Sequence, residues 1–163
     1  MTASAGQDHD SLFDGWQAAW SGRDPDAFAP LCDPEDVHYE DPLTATPLES
    51  PGAIGAHAQR LWTGFPDARV ERTGARLTDG VHVAAPMKLI ATHRGDLGGL
   101  TPTGRFIVVH GVAYCELRDG LLHRVRVFFD VWDAAVELGV LPKPGGVGQR
   151  ALLMLRGFGL KRD

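Results

Sequence analysis

Two cysteines, Cys32 and Cys115, are all the chain has, too few for the disulfide framework that holds small secreted domains together. As reduced thiols they suit a cytoplasmic protein. Basic residues are outnumbered: 16 Lys and Arg against 21 Asp and Glu leave a net charge of −5. With no basic run either, a nucleic-acid partner is excluded. No apolar run approaches the roughly 20 residues of a membrane-spanning helix, and the polar start MTASAGQDHD is not a secretory leader. No metal-ligand spacing, phosphate loop, dinucleotide fingerprint or Gly-x-Ser-x-Gly elbow occurs, so no metal and no organic cofactor is expected. What remains is an ordinary globular composition, 44% hydrophobic and 23% charged over 163 residues. That suits one domain around a single core.

Residues 1–10 are polar and expected to be disordered. From Ser11, the positions Leu12, Phe13, Trp16, Ala19 and Trp20 recur at helical spacing, and the helix ends near Gly22. Tryptophans spaced by four, Trp16 and Trp20, serve as core or as ligand contacts. Asp24-Pro25 opens a short second helix. Val37-His38-Tyr39-Glu40-Asp41 reads as a strand whose alternation sends Tyr39 and Asp41 to one face, either into a cavity or to a rim and a turn. Ser50-Pro51 starts a third helix with Ile54, Ala58, Leu61 and Trp62 as its apolar stripe; His57 lies beside the stripe, as a surface residue or a functional one. Strands follow through VHVAAPMKLIAT to His93 and Arg94, then a loop rich in glycine and proline, GDLGGLTPTGR.

The stretch from Arg105 to Leu141 organises the rest. Two apolar runs flank Arg118-Asp119-Gly120, and a two-residue or a three-residue loop would each close a β-hairpin. The three-residue loop is the preferred reading, because it gathers Ile107, Val109, Ala113, Cys115, Val125, Val127 and Phe129 on one face. Val108, His110, Val112, Tyr114, Phe128 and Asp130, with Arg124 and Arg126, then share the other. Asp130 either caps the helix DVWDAAVELG or is an acid/base group poised by desolvation beside His110. The second alternative puts the pair in an apolar pocket lined by Trp16, Trp20, Tyr39, Trp62, Phe106 and Phe128. After Pro142 an amphipathic segment carries Leu152, Leu153, Leu155 and Phe158. The expected organisation is therefore a disordered start (1–10), one α+β domain (11–141) and a C-terminal helical tail (142–163), with helices covering one face of a curved antiparallel sheet around a pocket. Val109, Val125 and Val127 on the other face would supply a homodimer contact.

This order of elements resembles the SnoaL-like polyketide cyclases of the nuclear-transport-factor-2-like superfamily. The features that carry the resemblance are YEDP, the helix after Pro51-Gly52, FPDAR, ATHRGDLGGLTPTGR and the hairpin ending in FFD before ELG. It implies a conical fold and a cofactor-free aldol-type ring closure of an apolar or aromatic polyketide in secondary metabolism. Asp130 would be the general acid/base and His110 the histidine near it. Tyr39, Asp41, Trp16, Trp20, His57, Trp62, His93, Arg94, Phe106 and Phe128 would contact the substrate. Limonene-type epoxide hydrolases are similar as well: Asp130, Arg94 and Asp96 resemble their Asp-Arg-Asp set and Tyr39 their tyrosine, while Asp41 stands where they carry asparagine. A non-catalytic binding protein on the same fold is the third alternative.

Overall fold

A computed structural model describes residues 3–158. Capping side chains set the helix boundaries. Helix α1 spans Ala3–Gly22, and a 3-10 helix over Pro25–Leu31 starts where the Asp24 carboxylate accepts the Asp26 N–H. Helix α2, Pro51–Gly64, has Pro51 in its first turn and Ser50 as its cap, the hydroxyl accepting the Ala53 N–H at 3.1 Å. Strands β1 (His38–Glu40), β2 (Arg69–Arg72), β3 (Leu77–Thr78), β4 (His82–Thr92), β5 (Phe106–Arg118) and β6 (Leu121–Phe129) form one sheet. Helices α3 (Val131–Glu137) and α4 (Val147–Phe158) follow.

The sheet order is β1-β6-β5-β4-β2, with β3 beside β4. The architecture is the expected α+β one, a curved, unclosed sheet with helices. All neighbours are antiparallel except β1, which joins the edge of β6 in parallel. The helices cover the face bearing Ile107, Val109, Ala113, Cys115, Val125 and Val127, all buried in one core with Phe13, Trp16, Phe28 and Ile54. Gly55 lets α2 approach the 3-10 helix closely, for a Cβ there would lie 2.3 Å from the Pro25 carbonyl oxygen.

Three expectations change. Helix α1 begins at Ala3 rather than near Ser11, so residues 3–10 are helical; Arg76 ties its middle to the sheet by donating to the carboxylates of Asp10 (2.8 Å) and Asp14 (2.6 Å). The hairpin loop has two residues, Asp119 and Gly120, both at positive φ (52° and 78°), the pairing for a tight turn that follows the strand twist. The expected face partition survives because β6 carries a bulge. Leu117 pairs with Leu122, Glu116 pairs with Arg124, and His123 is the extra residue between them. Finally, Val109, Val125 and Val127 are buried in the core and supply no outer contact; Phe106, Val112, Tyr114 and Phe128 are the exposed apolar side chains of the opposite face. The side chains of Leu152, Leu153, Leu155 and Phe158, expected to form the apolar face of the tail helix, lie outside the described residues.

Candidate active site

Between α2, the inner sheet face and α3 lies a cavity of about 530 Å³, within the range of small-molecule sites. Most of its wall is apolar: Leu61, Val70, Met87, Leu89, Ile107 and Val109 are among its lining. Two devices shape it. The loop after β4 docks on the end of α2, where the N–H groups of Arg94 and Gly95 both donate to the Gly64 carbonyl at 3.0 Å, satisfying a helix-end acceptor. This sets Asp96, Leu97 and Gly98 at the cavity wall. Opposite, α3 contributes Val131, Ala134 and Ala135, and its C-cap Leu138.

Polar groups converge at one place on the wall. The alternation of β1 points Tyr39 and, just beyond it, Asp41 inward, and the helical spacing of α2 presents His57, Arg60 and Leu61 on the facing side. His57 Nε2–H donates to Asp41 Oδ2 at 2.7 Å, and the Tyr39 hydroxyl donates to the same oxygen at 2.8 Å. The Leu43 N–H donates to Asp41 Oδ1 at 2.7 Å. Arg60 Nη2 donates to His57 Nδ1 at 3.0 Å. The side chains of His57 and Asp41 are 11% and 5% exposed. Burial raises the Asp41 carboxyl, but the hydrogen bonds it accepts from His57, the Tyr39 hydroxyl and the Leu43 N–H outweigh it and hold it below the usual carboxylate range. Burial, and then the Asp41 charge, push the Tyr39 hydroxyl well upward, so it stays a donor. Chemically this is an ionised carboxylate orienting an imidazole at the edge of an apolar chamber, an acid/base arrangement.

The sequence profile of the SnoaL-like polyketide cyclases matches residues 11–138. The chain belongs to this family. A search of curated proteins finds no match. Among solved structures, AclR from Streptomyces galilaeus, assigned as a hydroxylase, is 22% identical with a TM-score of 0.73, over 94% of each chain. A protein from a Jannaschia species assigned to the SnoaL-like polyketide cyclases is 18% identical with a TM-score of 0.74, over 87% of this chain and 99% of the other. IdmH from Streptomyces antibioticus, assigned as a polyketide cyclase, is 22% identical with a TM-score of 0.70, over 80% of this chain and 98% of its own. At these identities the structures speak for the fold. It is shared with a ketosteroid-isomerase-like protein from Catenulispora acidiphila.

Against this SnoaL-like fold, the expected site residues divide. Trp20, Tyr39, Asp41 and His57 line the cavity. Trp16 and Trp62 are core: Trp16 packs on Trp20, Phe28 and Tyr39, and the Trp62 indole N–H donates to the Trp20 carbonyl at 2.8 Å. Phe106 and Phe128 point outward, 62% and 58% exposed. His93 is fully buried against Phe65 and accepts the Thr103 N–H at Nδ1, which pins the loop rather than meeting a ligand. Arg94 is exposed and does not line the cavity.

The largest correction concerns Asp130 and His110. They do share a face, but it is the outer one; both are exposed, and neither lines the cavity. Asp130 caps α3, its carboxylate accepting the Asp133 N–H at 3.0 Å. Asp96 accepts the Gly99 N–H, and among the described residues neither it nor Arg94 bonds to Asp130, so the set an epoxide hydrolase requires is not assembled. Asp130→Asn, which keeps a capping oxygen, is expected to leave turnover near wild type. Asp130→Ala should lose about 1 kcal/mol of stability through the cap. A large fall in turnover for the asparagine variant, at unchanged melting temperature, would return Asp130 to the chemistry. Arg60 and Thr63 line the cavity without having been expected there; the signal for Arg60 was its spacing of three from His57 along α2, and Thr63, six residues on, had none.

Proposed function

We propose that the protein is a cyclase that closes a ring within an apolar polyketide or related small molecule without a cofactor, with His57 as the acid/base group and Asp41 as the residue that orients it. The observation that carries the reading is the Asp41–His57 pair, buried and facing a largely apolar cavity of about 530 Å³. Membership of the SnoaL-like family supports the reaction class.

A carbon between two carbonyls is acidic enough for an imidazole to deprotonate. The C–H proton goes to His57 Nδ1 and the electron pair stays on the substrate as an enolate. The enolate carbon attacks a second carbonyl of the same molecule, one C–C bond forms, and the oxygen generated there takes the proton back from Nδ1. Asp41 stabilises the transient imidazolium through Nε2–H, and Tyr39 keeps Asp41 charged and aimed. Atoms balance, so the ring-closed product has the mass of the substrate unless it later loses water.

The test is incubation with linear aryl poly-β-keto esters, followed by chromatography coupled to mass spectrometry and proton NMR. A product of unchanged mass with one carbonyl converted to a carbinol, formed faster than in buffer, is the expected result. Binding without any acceleration would make the chain a binding protein. Cleavage of the ester into an acid and an alcohol, together one water heavier than the substrate, would make it a hydrolase.

A further inference from the structure

Arg60 lies three residues after His57 on α2, one helical step along the same face. Arginine has donors and no acceptor, so the 3.0 Å contact between its Nη2 and His57 Nδ1 has one sense: Arg60 donates and Nδ1 accepts. Nε2 then carries the imidazole proton and gives its bond to Asp41. Arg60 therefore fixes the tautomer, and at the same time it occupies the lone pair that the proposed ring closure uses. A proton cannot be added to Nδ1 beneath it, since two donors and two positive charges would face each other.

The groups around this imidazole are Asp41 and Tyr39 at β1, Trp20 from α1 and Arg60 from its own helix. Asp41 is already engaged by His57, Tyr39 and Leu43. Among the described residues no carboxylate lies within ion-pair reach of Arg60, whose side chain is exposed and lines the cavity. A guanidinium bonded to a neutral nitrogen at the wall of an apolar chamber lacks an anionic partner, and an oxyanion offers it an opposite charge and a second acceptor that the imidazole nitrogen cannot.

We propose that Arg60 is the oxyanion ligand of this cavity and, by the same movement, the latch on its base. A ligand oxygen that carries or develops negative charge draws the guanidinium off Nδ1, and the uncovered lone pair takes the proton. The inference rests on His57 being the base. It adds a ligand requirement: an apolar body with an enolisable or anionic oxygen engages the latch, whereas a neutral ligand of the same shape leaves it closed.

The experiment uses naphthoate and its uncharged isostere naphthamide as probes of the full-length protein. Calorimetry gives their affinities, and long-range proton–nitrogen NMR reads the His57 ring nitrogens, assigned by their loss in His57→Asn. Wild type should prefer naphthoate by about tenfold or more, the size of one charge-assisted bond, and naphthoate alone should shift the Nδ1 resonance. Arg60→Gln, a change at an exposed position, should abolish the preference while holding naphthamide affinity near wild type. Preference retained in Arg60→Gln, or an Nδ1 resonance unmoved by bound naphthoate, overturns the proposal. Equal binding of both probes by wild type removes the latch and leaves the cyclase reading standing. Binding of neither removes both.

Discussion

His57→Asn is expected to lower kcat for ring closure by about two to four orders of magnitude, the usual size of an acid/base contribution. Asparagine retains a polar group near Asp41 and occupies less space, so the cavity wall persists while the proton acceptor is lost. Asp41→Asn should cost nearly as much, because an amide can bond through its NH₂ to the ring and stabilise the wrong tautomer, and it no longer offsets an imidazolium. The two changes together should cost little more than the larger alone, since residues acting as one unit are not additive. Steady-state kinetics on the three variants, with folding checked by circular dichroism, decides the matter; a double variant whose losses simply multiply would break the unit apart. Acid stability gives an independent reading. The folded-state pKa of Asp41 is depressed, so its contribution to stability is complete above the ordinary carboxyl value of about 3.9 and is lost as pH falls through the lower folded value. Asp41→Asn should flatten that part of the acid-denaturation curve.

Trp16→Ala should be the most damaging single truncation in the core, at about 3–5 kcal/mol. The side chain is 1% exposed, and its ring centroid lies 5.4 Å from Phe28, 5.8 Å from Trp20 and 6.0 Å from Tyr39. Removing it opens a void beneath two cavity-lining residues as well as beneath the 3-10 helix. Folded domains are stable by only about 5–15 kcal/mol, so this is a large fraction of the total. Trp16→Phe should cost clearly less than the alanine change, because it leaves a smaller void and because the indole N–H has no acceptor among the described residues, so its removal sacrifices no bond. Urea denaturation of both variants provides the comparison; equal losses would mean that the N–H, not the ring volume, matters.

Local chemistry made much of this fold legible. Ser50-Pro51 marked α2, Asp24-Pro25 marked the 3-10 helix, and the hairpin around Asp119-Gly120 fixed the centre of the sheet. Strand alternation likewise placed Tyr39 and Asp41 together. Alternation says which residues share a face but not which face is inside, so it could not place Asp130 relative to the cavity. The information was nevertheless present. One face of the hairpin carries His110, Glu116, Arg124, Arg126 and Asp130, and the other carries no charge from Ile107 to Phe129. Burying five titratable groups costs far more than burying Val, Ile, Ala and Cys, so the helices had to cover the second. The Arg60–His57–Asp41 chain was harder to read, since it joins α2 to the end of β1 across a turn whose path no local pattern fixes.

The bulge at His123 governs how sequences of this kind must be aligned. It inserts one residue into β6 without moving Arg124 and Val125 from the sides they occupy. A relative that lacks this residue would run an uninterrupted ladder from Leu117–Leu122 directly to Glu116–Arg124 and present the same inward side chains. A gap placed at His123 therefore keeps the cavity-facing positions in column, whereas one placed two residues later puts the relative's counterpart of Val125 in the column of Arg124 and exchanges inward for outward between the two gap positions.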